Sequence, residues 1–418
     1  MPRPHPPARA QITRARETIA TLLPNATVCE LRALVGMETV ARAKCIVALG
    51  AVRGRSGADP PPRLRVVTSD LPDATKARLI ADLEAASDDD GNMGEYVDAV
   101  LRLPRAARPL PGGDLGATLD HARVALDASA RGQGGLKRAV MQIVSERAAA
   151  PTARPVALGV RGPAGVGKTA IIRRGLAAAL DLPFFTVALG GLGDAAHLLG
   201  FDRTYSNSTY GQLAKIAMEA GCTNPVIFFD ELDKLSDSSA GRDIANVLIH
   251  LTDPEGCDAV RDRFAGPIDL SGATLVFAYN DPERVPPILR NRLREVEAVG
   301  YGDDEKKAIA IEHLVPEIRG EYGIPDNVVG IDEEVIAELV RRTGAERGVR
   351  QLRQHLAALM QSAAVAARTA GCVTLGVPAE CIDAAGGRCA LTMPAARGAL
   401  DAICSEHAPA RVPMGMYT

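Results

Sequence analysis

The sequence predicts an α/β fold: a parallel sheet with flanking helices, preceded by a mostly helical N-terminal region and followed by a small helical domain. Three observations predict it. Between residues 155 and 297, short apolar runs alternate with helical patterns, as strands joined by crossover helices do. Within that stretch, Gly162-Pro163-Ala164-Gly165-Val166-Gly167-Lys168-Thr169 fits the pattern G-x-x-x-x-G-K-[ST] at every fixed position. From residue 303 to about 370 the periodicity is helical throughout.

Residues 1–110 read as a mostly helical region with a flexible start. Helical patterns near residues 13–23, 27–49 and 74–86 are separated by breaks at 57–63 and 88–92. The first sixteen residues carry arginines and no acid, as a mitochondrial transit peptide would, but their four prolines argue against an amphipathic helix. A disordered tail is the expectation there. With 418 residues, 47% of them hydrophobic, the chain has room for roughly two to four domains with real cores. No apolar run approaches the roughly 20 residues that cross a bilayer, and no secretory start is visible. The expectation is an intracellular protein with no membrane contact, cytoplasmic or, as the alternative, in the mitochondrial matrix. The net charge of −3 gives no basis for a nucleic-acid partner. Eight scattered cysteines form neither a C-x-x-C pair nor a metal spacing with histidine.

Residues 111–300 read as the nucleotide-binding α/β domain. A linker at 104–113 leads to a helical pair broken around residues 131–135. Next comes Pro155-Val156-Ala157-Leu158-Gly159-Val160, apolar and suited to a buried strand. Behind it, the glycines of residues 162–167 let backbone N–H groups turn around an anion. Lys168 places a positive charge on the β- and γ-phosphates of ATP, and Thr169 offers its hydroxyl to Mg²⁺. Ile171, Ile172, Leu176 and Leu180 follow at helical spacing, so a helix points its N-terminal dipole at the phosphates.

Val226-Ile227-Phe228-Phe229-Asp230-Glu231 is a buried-strand pattern ending in two acids at the sheet edge where ligands bind. Asp230 is expected to hold Mg²⁺ and Glu231 to polarise the attacking water. A second strand, Thr274-Leu275-Val276-Phe277-Ala278-Tyr279, ends in Asn280. Its amide either orients that water or starts a turn before Asp281-Pro282. In Arg290-Asn291-Arg292-Leu293-Arg294, one arginine suits a phosphate on a neighbouring subunit, with a solvated basic helix end as the alternative. Residues 301–370 read as a helical lid and residues 371–418 as a short C-terminal tail.

These motifs resemble the ATPase module of Lon-type AAA+ proteins. The resemblance runs from about residue 95 to 360. It rests on the phosphate loop, on Asn224-Pro225-Val226-Ile227-Phe228-Phe229-Asp230-Glu231-Leu232-Asp233-Lys234, and on Gly300-Tyr301 with Asp303-Asp304-Glu305-Lys306. It also takes in Asp120-His121-Ala122-Arg123 and Gly348-Val349-Arg350-Gln351-Leu352. The resemblance implies a P-loop AAA+ fold, Asn280 as sensor 1, Arg292 as the arginine finger and Arg350 as sensor 2. It also implies a homo-hexameric ring, because the finger acts in trans.

Two departures shape the functional expectation. Where Lon-type rings carry an aromatic-aliphatic-glycine pore loop, this chain has Arg203-Thr204-Tyr205-Ser206-Asn207. Tyr205 keeps the aromatic for a protein substrate; a surface tyrosine is the alternative. Lon-type proteases also follow the ATPase with a serine–lysine peptidase, and the last lysine here is Lys307. The expectation is an ATP-hydrolysing unfoldase or remodeller without intrinsic proteolysis. Two alternatives stand beside it: a nucleotide-binding regulatory or scaffold protein, and the motor subunit of a protease whose peptidase is a separate chain.

Overall fold

The computed structural model describes residue 45 and residues 62–85, 92–111, 115–150, 156–203, 208–235, 238–253, 260–368 and 389–406. The expected helices before residue 50, the breaks at 57–61 and 88–91, Pro155, Tyr205 and much of the tail lie outside these residues. The chain divides into two compact units: residues 1–105, 196–221 and 261–268 form one, and residues 106–195, 222–260 and 269–418 the other.

The larger unit is built on a five-stranded parallel sheet. Its strands are β1 (Val156–Arg161), β2 (Phe184–Ala188), β3 (Val226–Asp230), β4 (Thr274–Tyr279) and β5 (Arg294–Glu297). Their order across the sheet is β2-β3-β4-β1-β5, so β1 lies between β4 and β5. The chain forms β3 and β4 where it does because both are unbroken apolar runs, and a parallel sheet covered on both faces admits no alternation. Val226 to Phe229 and all six residues of β4 are buried. Across the β3–β4 ladder, Phe229 and Phe277 stack with ring centroids 4.8 Å apart.

One face of this sheet is covered by the helical pair Leu115–Ser129 and Gly134–Ala149 together with the helix that leaves the phosphate loop. That helix starts at Lys168–Ala170 and passes into a π-helical stretch, Ile171–Ala177. Ile171, Ile172 and Leu176 are buried there, as the spacing predicts. Asn224, just ahead of β3, fixes the linker: its amide accepts from Arg108 N at 2.7 Å and donates to Arg108 O at 2.9 Å.

The same unit continues into the lid. Helices Asp303–Ile309, Val315–Tyr322, Glu333–Arg342 and Arg350–Arg368 surround a second apolar core. That core does not stop at residue 370. Val329–Ile331 pairs in parallel with Cys389–Leu391, and Leu391, Ala396, Ala399 and Leu400 are buried in the lid core. The strand and the helix Met393–Glu406 are the lid's own, drawn in because their apolar side chains complete its core.

The smaller unit holds helices Pro62–Thr68, Asp73–Ala85 and Asn92–Arg102, the segments Ala196–Leu199 and Gln212–Ala220, and a tight hairpin, Arg261–Asp262 with Gly266–Pro267. Asp262, fully buried, organises the hairpin. Its carboxylate accepts backbone N–H bonds from Gly211 at 2.7 Å, Phe264 at 2.9 Å and Ala265 at 2.7 Å. Burial raises its pKa against the opposing pull of those three donors.

Candidate functional site

The site is assembled where β1, β3 and β4 end side by side. Gly162 follows β1 with φ 154° and abuts the strand end at residue 298, where a Cβ would sit 2.2 Å from Ala298 O. Gly165 and Gly167 take left-handed φ of 78° and 83°. These conformations are open to glycine at little cost and let the loop turn its amides inward. Pro163, Ala164 and Val166 fill the loop between them, with Val166 buried.

Lys168 folds back over the loop. Its Nζ donates to Gly162 O at 2.5 Å and to the Asn280 side-chain oxygen at 2.8 Å. Burial lowers its pKa, while the nearby carboxylates of Asp230 and Asp233 pull the other way. Thr169, half-buried, is next to it in the first turn of the helix.

Asp230 ends β3, and its Oδ1 accepts the N–H of Glu231 at 2.9 Å. Glu231 itself is left-handed, with φ 60°, an uncommon state for a non-glycine residue that turns the chain sharply off the strand. Its carboxylate lies against Gly190, beyond β2, where a Cβ would be 2.5 Å from Glu231 Oε2. That glycine makes room for the acid, a role no sequence pattern announces.

Asp233 is a second residue that motif reading missed. It is buried, and its Oδ2 accepts the backbone N–H groups of Asn280 at 3.3 Å and Asp281 at 3.1 Å. The end of β4 is thereby tied to the turn after β3, with Asn280 held facing Lys168. Behind β4, the Tyr279 hydroxyl donates to Glu295 Oε1 at 2.5 Å, and Arg290 Nε donates to the same oxygen at 2.9 Å. Burial opposes ionisation of Glu295, but the bonds from Arg290 and Tyr279 hold its carboxyl below the usual range. Arg290 and Arg292 are both paired within the chain, Arg290 with Glu295 and Arg292 with Asp253 at 3.1 Å.

The lid reaches the phosphate loop through one backbone and one side-chain hydrogen bond. Val349 N donates to Gly165 O at 3.0 Å, and Tyr301 OH donates to Val166 O at 2.8 Å. A Cβ on Gly348 would be 2.3 Å from Ala164 O, so the lid turn is pressed against the loop. Arg350 begins the long lid helix beside Gly165. Glu346 caps that helix, accepting from Arg350 N at 2.9 Å and Gln351 N at 2.8 Å. The structure therefore groups residues 162–169, Asp230, Glu231, Asn280 and the Arg350 backbone in one region.

Residues 158–301 match the family of ATPases associated with various cellular activities, AAA. A Lon protease homolog of Acanthamoeba polyphaga mimivirus is 35% identical over 228 residues, 54% of this chain and 22% of that protein. The chain carries a Lon-like AAA domain. The Lon protease of Salinispora arenicola is 33% identical over 342 residues, 77% of this chain and 43% of the relative. That of Mycolicibacterium smegmatis is 34% identical over 318 residues, covering 72% and 40%. The chain thus spans less than half the length of each of these relatives. The sheet order and the loop geometry are those of a P-loop AAA+ fold, with the lid continuing beyond the matched residues.

The donor set suits Mg²⁺ in kind. Thr169 supplies a hydroxyl and Asp230 a carboxylate, the hard oxygen ligands this ion takes alongside phosphates and water. Among the described residues, no three His, Cys, Asp or Glu side chains gather into an all-protein metal cage. Nor is any described helix long and apolar enough to cross a membrane.

Proposed function

We propose that this chain hydrolyses ATP with Mg²⁺ in a homo-hexameric ring and spends that cycle on unfolding or remodelling protein. The observation that carries the reading is the convergence of Lys168, Asn280 and Asp233 at the ends of neighbouring strands. The glycines of residues 162–167 bind the phosphates through their amides, and Lys168 neutralises the β- and γ-oxygens. Thr169 and Asp230 would hold Mg²⁺, which when bound would withdraw charge from the phosphate oxygens. Glu231 takes a proton from the attacking water, and Asn280 orients that water beside the γ-phosphate. Arg292 acts on the nucleotide of the adjacent subunit, and Arg350 reports occupancy from the lid.

Peptide-bond hydrolysis by these 418 residues is not part of this proposal. A second reading makes the chain the motor of a protease whose peptidase is a separate polypeptide. Co-purification from the native source distinguishes the two. Protein substrates are proposed to meet the ring through Tyr205, in an intracellular compartment.

The test is ATP turnover by the purified chain with Mg²⁺, compared with Glu231→Gln, together with a native mass of Glu231→Gln with ATP bound. Turnover that the variant abolishes, with a hexameric mass, supports the proposal. Equal phosphate release by both proteins, or a monomer, sinks it.

A further inference from the structure

The smaller unit contains a cavity of about 270 Å³ that the ATPase reading does not use. Four arginines line it: Arg78 from the helix Asp73–Ala85, Arg203, and Arg261 and Arg263 from the hairpin. Two carboxylates share the space. Asp262 is committed to its three backbone donors. Asp82 accepts the Tyr96 hydroxyl at 3.2 Å and lies 3.9 Å from Arg203, beyond hydrogen-bond reach. Among the described residues, no ion pair joins Arg78, Arg261 or Arg263 to a carboxylate.

Arg203 is held in place without being satisfied. Its guanidinium lies 4.0 Å over the Tyr96 ring, and its Nη1 is buried with no hydrogen-bond partner. A buried guanidinium nitrogen without an acceptor costs free energy unless an anion meets it. Arg78 reaches towards the hairpin as far as Gly266, where a Cβ would be 3.8 Å from its Nη2.

We propose that this cavity is an oxyanion site for a phosphate group carried on a polypeptide. Four guanidiniums against two carboxylates leave an excess of two positive charges, which a phosphate monoester of about −1.5 to −2 neutralises. Guanidinium forks match phosphate oxygens in pairs, the geometry by which arginine clusters read phosphorylated segments. The polypeptide source rests on the proposed remodelling function: Arg203 directly precedes the segment with Tyr205 in the chain. The phosphate chemistry itself does not depend on that function.

Fluorescence anisotropy of the full chain with a labelled phosphoserine peptide and its unphosphorylated twin tests this. It is done without ATP, in a Lys168→Ala background that removes the lysine of the phosphate loop. The phosphopeptide is expected to bind at least tenfold tighter than its twin, with affinity falling as salt rises. Arg261→Ala and Arg263→Ala, both on exposed hairpin positions, each weaken it at least fivefold while the melting temperature stays unchanged. Added to the otherwise unaltered chain, the same substitutions leave ATP turnover as it was. Equal binding of the twin, or phosphopeptide binding untouched by both substitutions, overturns the site. Displacement by inorganic phosphate at concentrations near the peptide's own Kd overturns the polypeptide source and leaves a free-phosphate site.

Discussion

Lys168 Nζ and the side-chain oxygen of Asn280 are 2.8 Å apart, so a side-chain hydrogen bond ties the phosphate loop to the end of β4. A γ-phosphate arriving at the loop presents oxygens to both groups, the lysine by charge and the amide by its N–H face. Asn280→Ala is expected to leave ATP binding near normal and lower turnover on the order of 10²–10³-fold, as loss of a transition-state donor does. Steady-state turnover beside equilibrium nucleotide binding checks the split; equal loss in both assigns Asn280 to binding alone.

The lowered pKa of Lys168 gives a pH dependence with a defined sign. Burial favours the neutral amine, so its folded value lies below the ordinary 10.5. In the window between the two values the unfolded chain holds more protons, and the nucleotide-free protein gains stability as pH rises through it. ATP needs the charged form, so its affinity falls as pH climbs through the folded value. Lys168→Arg, always charged, flattens the pH dependence of the ATP dissociation constant.

Gly190 leaves space for the carboxylate of Glu231, since a Cβ there would be 2.5 Å from Oε2. Gly190→Ala should push the acid aside, lowering kcat while ATP affinity holds. Glu231→Gln should do the same without any clash. A Gly190→Ala protein with ordinary turnover would show that the acid does not need this space.

Asp233 holds two backbone N–H groups after β4. Asp233→Ala strips both of their acceptor and should cost about 1–3 kcal/mol of stability, read as a lower melting temperature with reduced turnover. Asp233→Asn keeps an oxygen for those donors and should recover most of the stability.

Arg292 can be separated from residues that act on their own subunit. In the proposed ring, Lys168→Ala subunits would lose their own nucleotide site and Arg292→Ala subunits the contact they give a neighbour. Each alone should be inactive. Mixed before assembly, they should regain turnover, because a Lys168→Ala subunit still offers Arg292 to the next site. Mixtures as dead as their parents would place Arg292 in cis.

Much of this site is legible in the sequence because its signals are local. The glycines, Lys168 and Thr169 lie within eight consecutive residues, and β3 and β4 are announced by unbroken apolar runs that end at their acids or amide. What escapes is made by neighbours in space. Asp233 matters because β3 and β4 are adjacent in the sheet, and Gly190 because β2 ends beside β3. Glu346 works as a helix cap only once the lid turn is folded. Resemblance alone singled out Arg292 and Arg350; spacing left the former among three arginines.

The parallel pairing of Val329–Ile331 with Cys389–Leu391 bears on how the protein is made. A ribosome delivers the nucleotide loop, the sheet and most lid helices before the segment that closes the lid core, while domains fold in order of emergence. Until Leu400 is out, Val329 and its apolar neighbours have no roof. The nascent chain therefore owns a phosphate cradle well before it owns a finished lid.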